Sequence, residues 1–76
     1  MDKQTQRHKI LGYCMTHGSI TIREAFERLD INSPSKRISE LRKLGYTVDT
    51  VKETRLNSQG IEVPYTRYFI SEAVAQ

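Results

Sequence analysis

A single cysteine, Cys14, stands in the 76-residue chain. That scarcity excludes an internal disulfide and any cysteine-based zinc site. Histidine is almost as rare, and His8 and His17 have no companion ligands near them in sequence. No apolar run is long enough to cross a bilayer. The opening stretch MDKQTQRHK lacks the apolar segment of a secretory signal, so a cytosolic location is expected. There is no glycine-rich phosphate loop, and Asp49 and Glu53 are carboxylates without a histidine partner. Cys14 falls on an apolar stripe, where a thiol is a small inert hydrophobe rather than a nucleophile. The expectation is a non-enzymatic protein with no metal and no cofactor.

What the chain does have is one small core and unevenly placed charge. Its apolar fraction of 37% suffices for a single domain over 1–76, with 1–4 and 71–76 expected as loose ends. The net charge of +3 is mild, but its distribution is informative. Residues 1–9 carry +2 and residues 34–45 carry +3, whereas the two remaining segments each carry −1. Positive charge gathered in two segments suits an electrostatic footprint on phosphate. A solvated helix face would look the same from charge alone.

Local signals divide the chain into short elements. Residues 5–17 read as a helix with Ile10, Leu11, Cys14 and Met15 on one stripe, stopped by Gly18. Ser19–Thr21 is a short extended link. Thr21 and Glu24 then form a T-x-x-E capping box, opening a helix over Ile22–Leu29. Its apolar face is Ile22, Ala25, Phe26 and Leu29. Asp30-Ile31-Asn32 is a turn, Ser33 is an N-cap and Pro34 starts a third helix that runs to Leu44. Ile38, Leu41 and Leu44 are expected to face the core, with Gly45 closing the helix. Two strands follow, Tyr46–Glu53 and Val63–Ile70, joined by a polar loop from Arg55 to Gly60. Val48, Tyr68 and Ile70 are assigned to their inward face.

Two short helices around a tight turn make a helix-turn-helix, and a C-terminal hairpin makes it winged. The expected fold is therefore α+β, three helices with a β-hairpin wing. Ile10, Leu11, Cys14, Ile20, Phe26, Leu29, Ile38, Leu41 and Tyr68 are the expected core.

The runs H-G-S-I-T-I-R-E-A (17–25), K-R-I-S-E-L-R-K-L-G-Y (36–46) and R-Y-F-I (67–70) resemble a family of short helix-turn-helix domains common in phages and prophages. The similarity extends over about residues 7–70, and R-I-S-x-L-R-x-x-G-Y is its most specific part. The resemblance implies a winged helix that binds DNA.

In a helix-turn-helix the N-terminal half of the second helix leads into the major groove. That points to Ser33, Ser35, Lys36, Arg37, Ser39, Arg42 and Lys43 as the reading-helix residues. Wheel spacing puts Ser35, Lys36, Ser39, Glu40 and Lys43 outward, with Arg37 and Arg42 on the flanks. Lys36 is placed to meet guanine O6 or N7 or a phosphate, and Arg42 and Lys43 to meet the backbone. The wing offers Lys52, Arg55 and Asn57, and the first helix offers Arg7 and Lys9 beside Lys3 and His8. Double-stranded DNA is the expected partner, read by a homodimer or with a protein partner. The rival reading is a docking module for a host or phage protein, with Tyr13, Tyr65 and Phe69 as exposed aromatics.

Overall fold

The computed structural model describes residues 2–72. The element order is α1 (Lys3–His17), β1 (Ile20–Thr21), α2 (Ile22–Leu29), α3 (Pro34–Lys43), β2 (Thr47–Leu56) and β3 (Glu62–Ser71). The strands form one antiparallel sheet in the order β1-β3-β2. No helix among the described residues is long and apolar enough to cross a membrane.

Helix ends sit where local chemistry fixes them. Asp2 caps α1 by accepting from the Thr5 backbone N–H at 2.7 Å, so residues 2–4 are a cap and first turn, not a loose end. Gly18, at φ 88°, closes α1 in the left-handed conformation that costs glycine least. The capping box of α2 is complete, with Glu24 N–H donating to Thr21 Oγ1 and Thr21 N–H to Glu24 Oε1. After α3, Tyr46 N–H donates to the Leu41 carbonyl and Gly45 N–H to that of Arg42, the paired bonds of a Schellman turn. Gly45 adopts φ 106° there. Ser33 makes no side-chain cap bond, contrary to expectation, because its ψ of 66° is far from the extended value a cap needs.

The core is Ile10, Cys14, Ile20, Ala25, Ile31, Ile38 and Leu41. Leu11, Leu29, Tyr46, Val48, Tyr68 and Ile70 pack around it as half-buried neighbours. Three residues expected on apolar helix faces, of which Phe26 is also assigned to the expected core, lie outside it. Met15 is 87% exposed, because α1 meets the core along the narrower Ile10–Cys14 line. Leu44 is 64% exposed, because the chain has turned away at Gly45 and Tyr46 takes the inward place. Phe26 is 58% exposed. The small Ala25 lets α2 approach its neighbours closely, and Phe26, about 100° further around the helix, turns toward the wing. Ile31, expected only as part of a turn, is fully buried and plugs the space between α2 and α3.

The hairpin is longer than expected. Arg55 lies in β2, paired with Val63, and the turn is confined to residues 57–61. Asn57 holds that turn together, its Oδ1 accepting from Gln59 N–H at 2.9 Å and Ile61 N–H at 3.0 Å. β1 pairs only Ile20 with Tyr68 and Thr21 with Arg67. The hairpin therefore projects past β1 for five more residue pairs, about 17 Å at an ordinary strand rise. At the other end, Ser71 closes β3, and residues 73–76 of the expected tail lie outside the described residues.

Candidate nucleic-acid interface

The outer face of α3 carries Ser35, Lys36, Ser39 and Lys43, all exposed. One flank of α3 is bounded by the first turns of α1, and the two helices enclose an open cleft of about 590 Å³. Lys3 and Gln6 line its α1 side, and Ser33, Ser35, Lys36, Ser39 and Lys43 line its α3 side. The other flank faces the wing. There a second groove runs between Ile22, Phe26 and Pro34 on one wall and Arg55, Val63 and Tyr65 on the other. The start of α3 thus stands between a basic cleft and a wing that carries Lys52 and Arg55, both exposed.

Two arginines expected on this surface have other partners. Arg37 is only 7% exposed, not on a free flank. Its spacing explains this, because Pro34, Arg37, Ile38 and Leu41 form the i, i+3, i+4, i+7 face of α3, and all are buried. Arg37 buries its stem and pairs through Nη2 with Glu40 Oε2 at 3.0 Å. Arg7 Nη1 donates to the other oxygen of the same carboxylate at 2.6 Å, tying α1 to α3. Glu40 is consequently half-buried and paired rather than a free outer-face group. Lys9 is exposed on α1. Arg42 is exposed and donates to the Val48 carbonyl at 3.3 Å, at the root of β2. Asn57 spends its side-chain oxygen within the wing turn.

The residue that sets the wing is one the sequence did not single out, Arg67. Its Nε donates to Glu53 Oε1 on β2 at 3.0 Å and its Nη1 to Ser19 Oγ at 3.0 Å. Nη1 also lies 3.6 Å from Glu24 Oε1, within the α2 capping box. Tyr65 O–H donates to the same Glu53 oxygen at 2.6 Å, and the Arg67 guanidinium sits 5.8 Å from the Tyr65 ring centre. One arginine thereby joins both wing strands to the start of α2. The usable signal was register, since an Arg on β3 lies on the same sheet face as a Glu on β2. That register becomes readable only once the turn is placed.

These contacts shift the acids that make them. The hydrogen bond from Arg7, with the nearby Arg37 charge, holds the Glu40 carboxyl below its usual range. Hydrogen bonds from Tyr65 and then Arg67 do the same to Glu53, and those from Thr5 do so to Asp2. A carboxyl whose folded pKa lies below its unfolded one stabilises the fold above the unfolded value. It loses that contribution as pH falls through the folded value. The melting temperature should therefore hold level from pH 7 to about 5 and decline below about pH 4.3, the ordinary glutamate value. Circular dichroism melts across pH 3–7 check this, and Glu40→Gln should flatten part of the acid decline. An undiminished decline in that variant would remove Glu40 from the cause. Burial, by contrast, pushes the Cys14 thiol up, which keeps it protonated and unreactive at neutral pH.

The aromatics of the rival reading are only partly available. Tyr13 is half-buried and stacks on His17 at 4.2 Å between ring centres, and Tyr65 is half-buried in the wing network. Phe69 is 40% exposed. Among the described residues no group of three or more His, Cys, Asp or Glu side chains could hold a metal ion.

No curated protein and no solved structure shows significant similarity to the chain. A family model does, described as a winged helix-turn-helix domain, and it matches residues 5–73. With its three helices, its three-stranded antiparallel sheet and that match over most of its length, the chain belongs to the winged helix-turn-helix domain family.

Proposed function

We propose that this domain binds double-stranded DNA with sequence preference, as a small transcriptional regulator of the kind phages and prophages carry. In this reading α3 enters the major groove and the wing lies along the backbone or minor groove. The observation that carries it is the exposed row Ser35, Lys36, Ser39 and Lys43 on the second helix of a winged helix-turn-helix. These are groups that donate to base edges or phosphates, and the neighbouring carboxylate, Glu40, is held by Arg7 and Arg37. A single module covers only about 600–1,000 Å² of its own surface on DNA, so a homodimer on an inverted repeat is the expected reading unit. Family membership suggests the DNA partner. The phage context rests on the sequence resemblance.

The test is binding to random and selected duplexes across a salt series. A phosphate-driven complex weakens steeply as salt rises. Within that assay Lys36 and Arg42 separate two kinds of contact. Lys36 lies near the start of α3 and Arg42 near its end. Lys36→Ala should relax preference at one base position by about 1–2 kcal/mol, below the upper range because an ammonium is a compact point charge without arginine's planar fork of donors. Arg42→Ala should weaken all sequences alike and lower the salt slope by about one. Equal, uniform losses in both variants would make α3 a phosphate clamp and not a reader.

The groove beside the wing favours a second reading. An exposed Phe26 with Ile22, Pro34 and Val63 lining the same groove is an apolar surface that DNA does not require. Salt-insensitive behaviour with every duplex would move the conclusion to a protein-docking module.

A further inference from the structure

The cleft between the first turns of α1 and the outer face of α3 is more than a neighbour of the reading helix. Lys3 lines it from α1, and Lys36 and Lys43 line it from α3 together with Ser33, Ser35 and Ser39. Arg37 also lines it, 7% exposed, with its Nη2 paired to Glu40 and a buried Nε that has no hydrogen-bond partner among the described residues. One carboxylate, Glu40, serves both Arg37 and Arg7. Two guanidinium groups therefore share a single negative partner, and three lysines line the same cleft without any other acid. A hollow lined by more cations than carboxylates, with hydroxyl donors among them, is the environment an anion completes.

We propose that this cleft is a phosphate site, and that it seats one backbone phosphate of bound duplex DNA between α1 and α3. The proposal rests on the DNA-binding reading for the source of the phosphate, but not for the anion chemistry. Charge from the lysines, O–H donors from the serines and the positive field of Arg37 converge on one space. A phosphate there would fix the protein's register on the duplex.

Two arms test it with the full chain. In the first, inorganic phosphate is titrated at pH 7 into isotope-labelled protein and followed by amide NMR, with chloride at matched ionic strength as the control. Saturable shifts confined to the start of α1 and to residues 32–39 are expected, and Lys3→Ala should abolish saturation. Lys3 is exposed at the first position of α1, so its loss leaves the core untouched. Non-saturating shifts spread over all basic residues, equal to those in chloride, would overturn the site. In the second arm, Lys3→Ala and Arg28→Ala are compared on random duplex DNA. Both remove one exposed positive charge, but Arg28 sits at the end of α2, away from the cleft. Lys3→Ala should weaken binding about three- to tenfold near 0.1 M salt and lower the salt slope by about one. Arg28→Ala should change it less than twofold. Equal losses in the two variants would overturn a seated phosphate in favour of diffuse attraction. Saturable phosphate binding with unchanged DNA affinity in Lys3→Ala would overturn the DNA backbone as its source and assign the site to a free phosphate-bearing ligand. Absence of DNA binding by the wild type would sink the DNA reading, and the first arm would still decide the anion site.

Discussion

Leu41→Ala is expected to destabilise this domain by about 2–5 kcal/mol, which is a large part of what a domain of this size possesses. Leu41 is 1% exposed and among the largest fully buried side chains, beside Ile10, Ile20 and Ile31. It also supplies the carbonyl that accepts from Tyr46 N–H in the turn closing α3. The cavity left by alanine would open where α3 meets the rest of the core, with few atoms free to collapse into it. A shift in melting temperature on the order of 10–30 °C follows for a chain this short. Phe26→Ala is the informative companion. Periodicity alone assigns Phe26 to the core and a cost of about 3–5 kcal/mol. At 58% exposure its loss should instead stay below about 1 kcal/mol. Urea unfolding of the two variants decides between these packings. A Phe26→Ala loss as large as that of Leu41→Ala would mean that α2 is rotated from the orientation described.

The contrast between Leu41 and Phe26 marks how far the sequence reaches. Helix ends were legible because their causes are local. The Thr21–Glu24 capping box, Pro34 at the start of α3 and Gly45 after its end act over three or four residues, and the structure has each. Which apolar residue turns inward is not local. α2 presents Ile22, Ala25, Phe26 and Leu29, and only the closeness of its neighbours selects Ala25 as the buried point. Ile31 was hidden for the opposite reason, since a turn between two helices can carry a plug as readily as a polar residue. Arg37 was legible in principle, because it shares its helical spacing with Pro34, Ile38 and Leu41. Its expected place on a free flank fails because a polar residue is read as outward unless a partner is known, and that partner, Glu40, is also the partner of Arg7 on another helix. The helix α3 itself was apparent from the chain. The two flanks that turn it into a surface, the α1 cleft and the wing groove, depend on contacts made across long stretches of sequence.

Arg67→Ala is expected to cost about 2–3 kcal/mol of stability, in the range of charged hydrogen bonds in partly buried surroundings, and to impair DNA binding without Arg67 touching DNA. The arginine joins Glu53 of β2 to Ser19 and to Glu24 at the start of α2. Because the wing projects about 17 Å beyond β1, a small loosening at this root becomes a large displacement at Arg55 and the tip. Glu53 and Glu24 would also lose their shared cation, and two carboxylates would face each other across the base of the wing. Arg67→Lys separates position from charge. A lysine keeps the positive charge but cannot spread donors to Glu53, Ser19 and Glu24 at once. If Arg67 works by position, Arg67→Lys should lose most of the stability that Arg67→Ala loses. It should also show broadened amide signals in residues 52–66 and bind DNA more weakly with an unaltered salt slope. If it works by charge alone, Arg67→Lys should match the wild type in stability, spectra and affinity. Glu24→Gln refines the assignment further, because glutamine still completes the capping box with Thr21 while removing one of the two acids that Arg67 joins. Its effect should be smaller than that of either Arg67 variant, since Glu53 at 3.0 Å is the closer partner. A loss from Glu24→Gln equal to that from Arg67→Ala would move the hinge of the wing from the sheet to the start of α2.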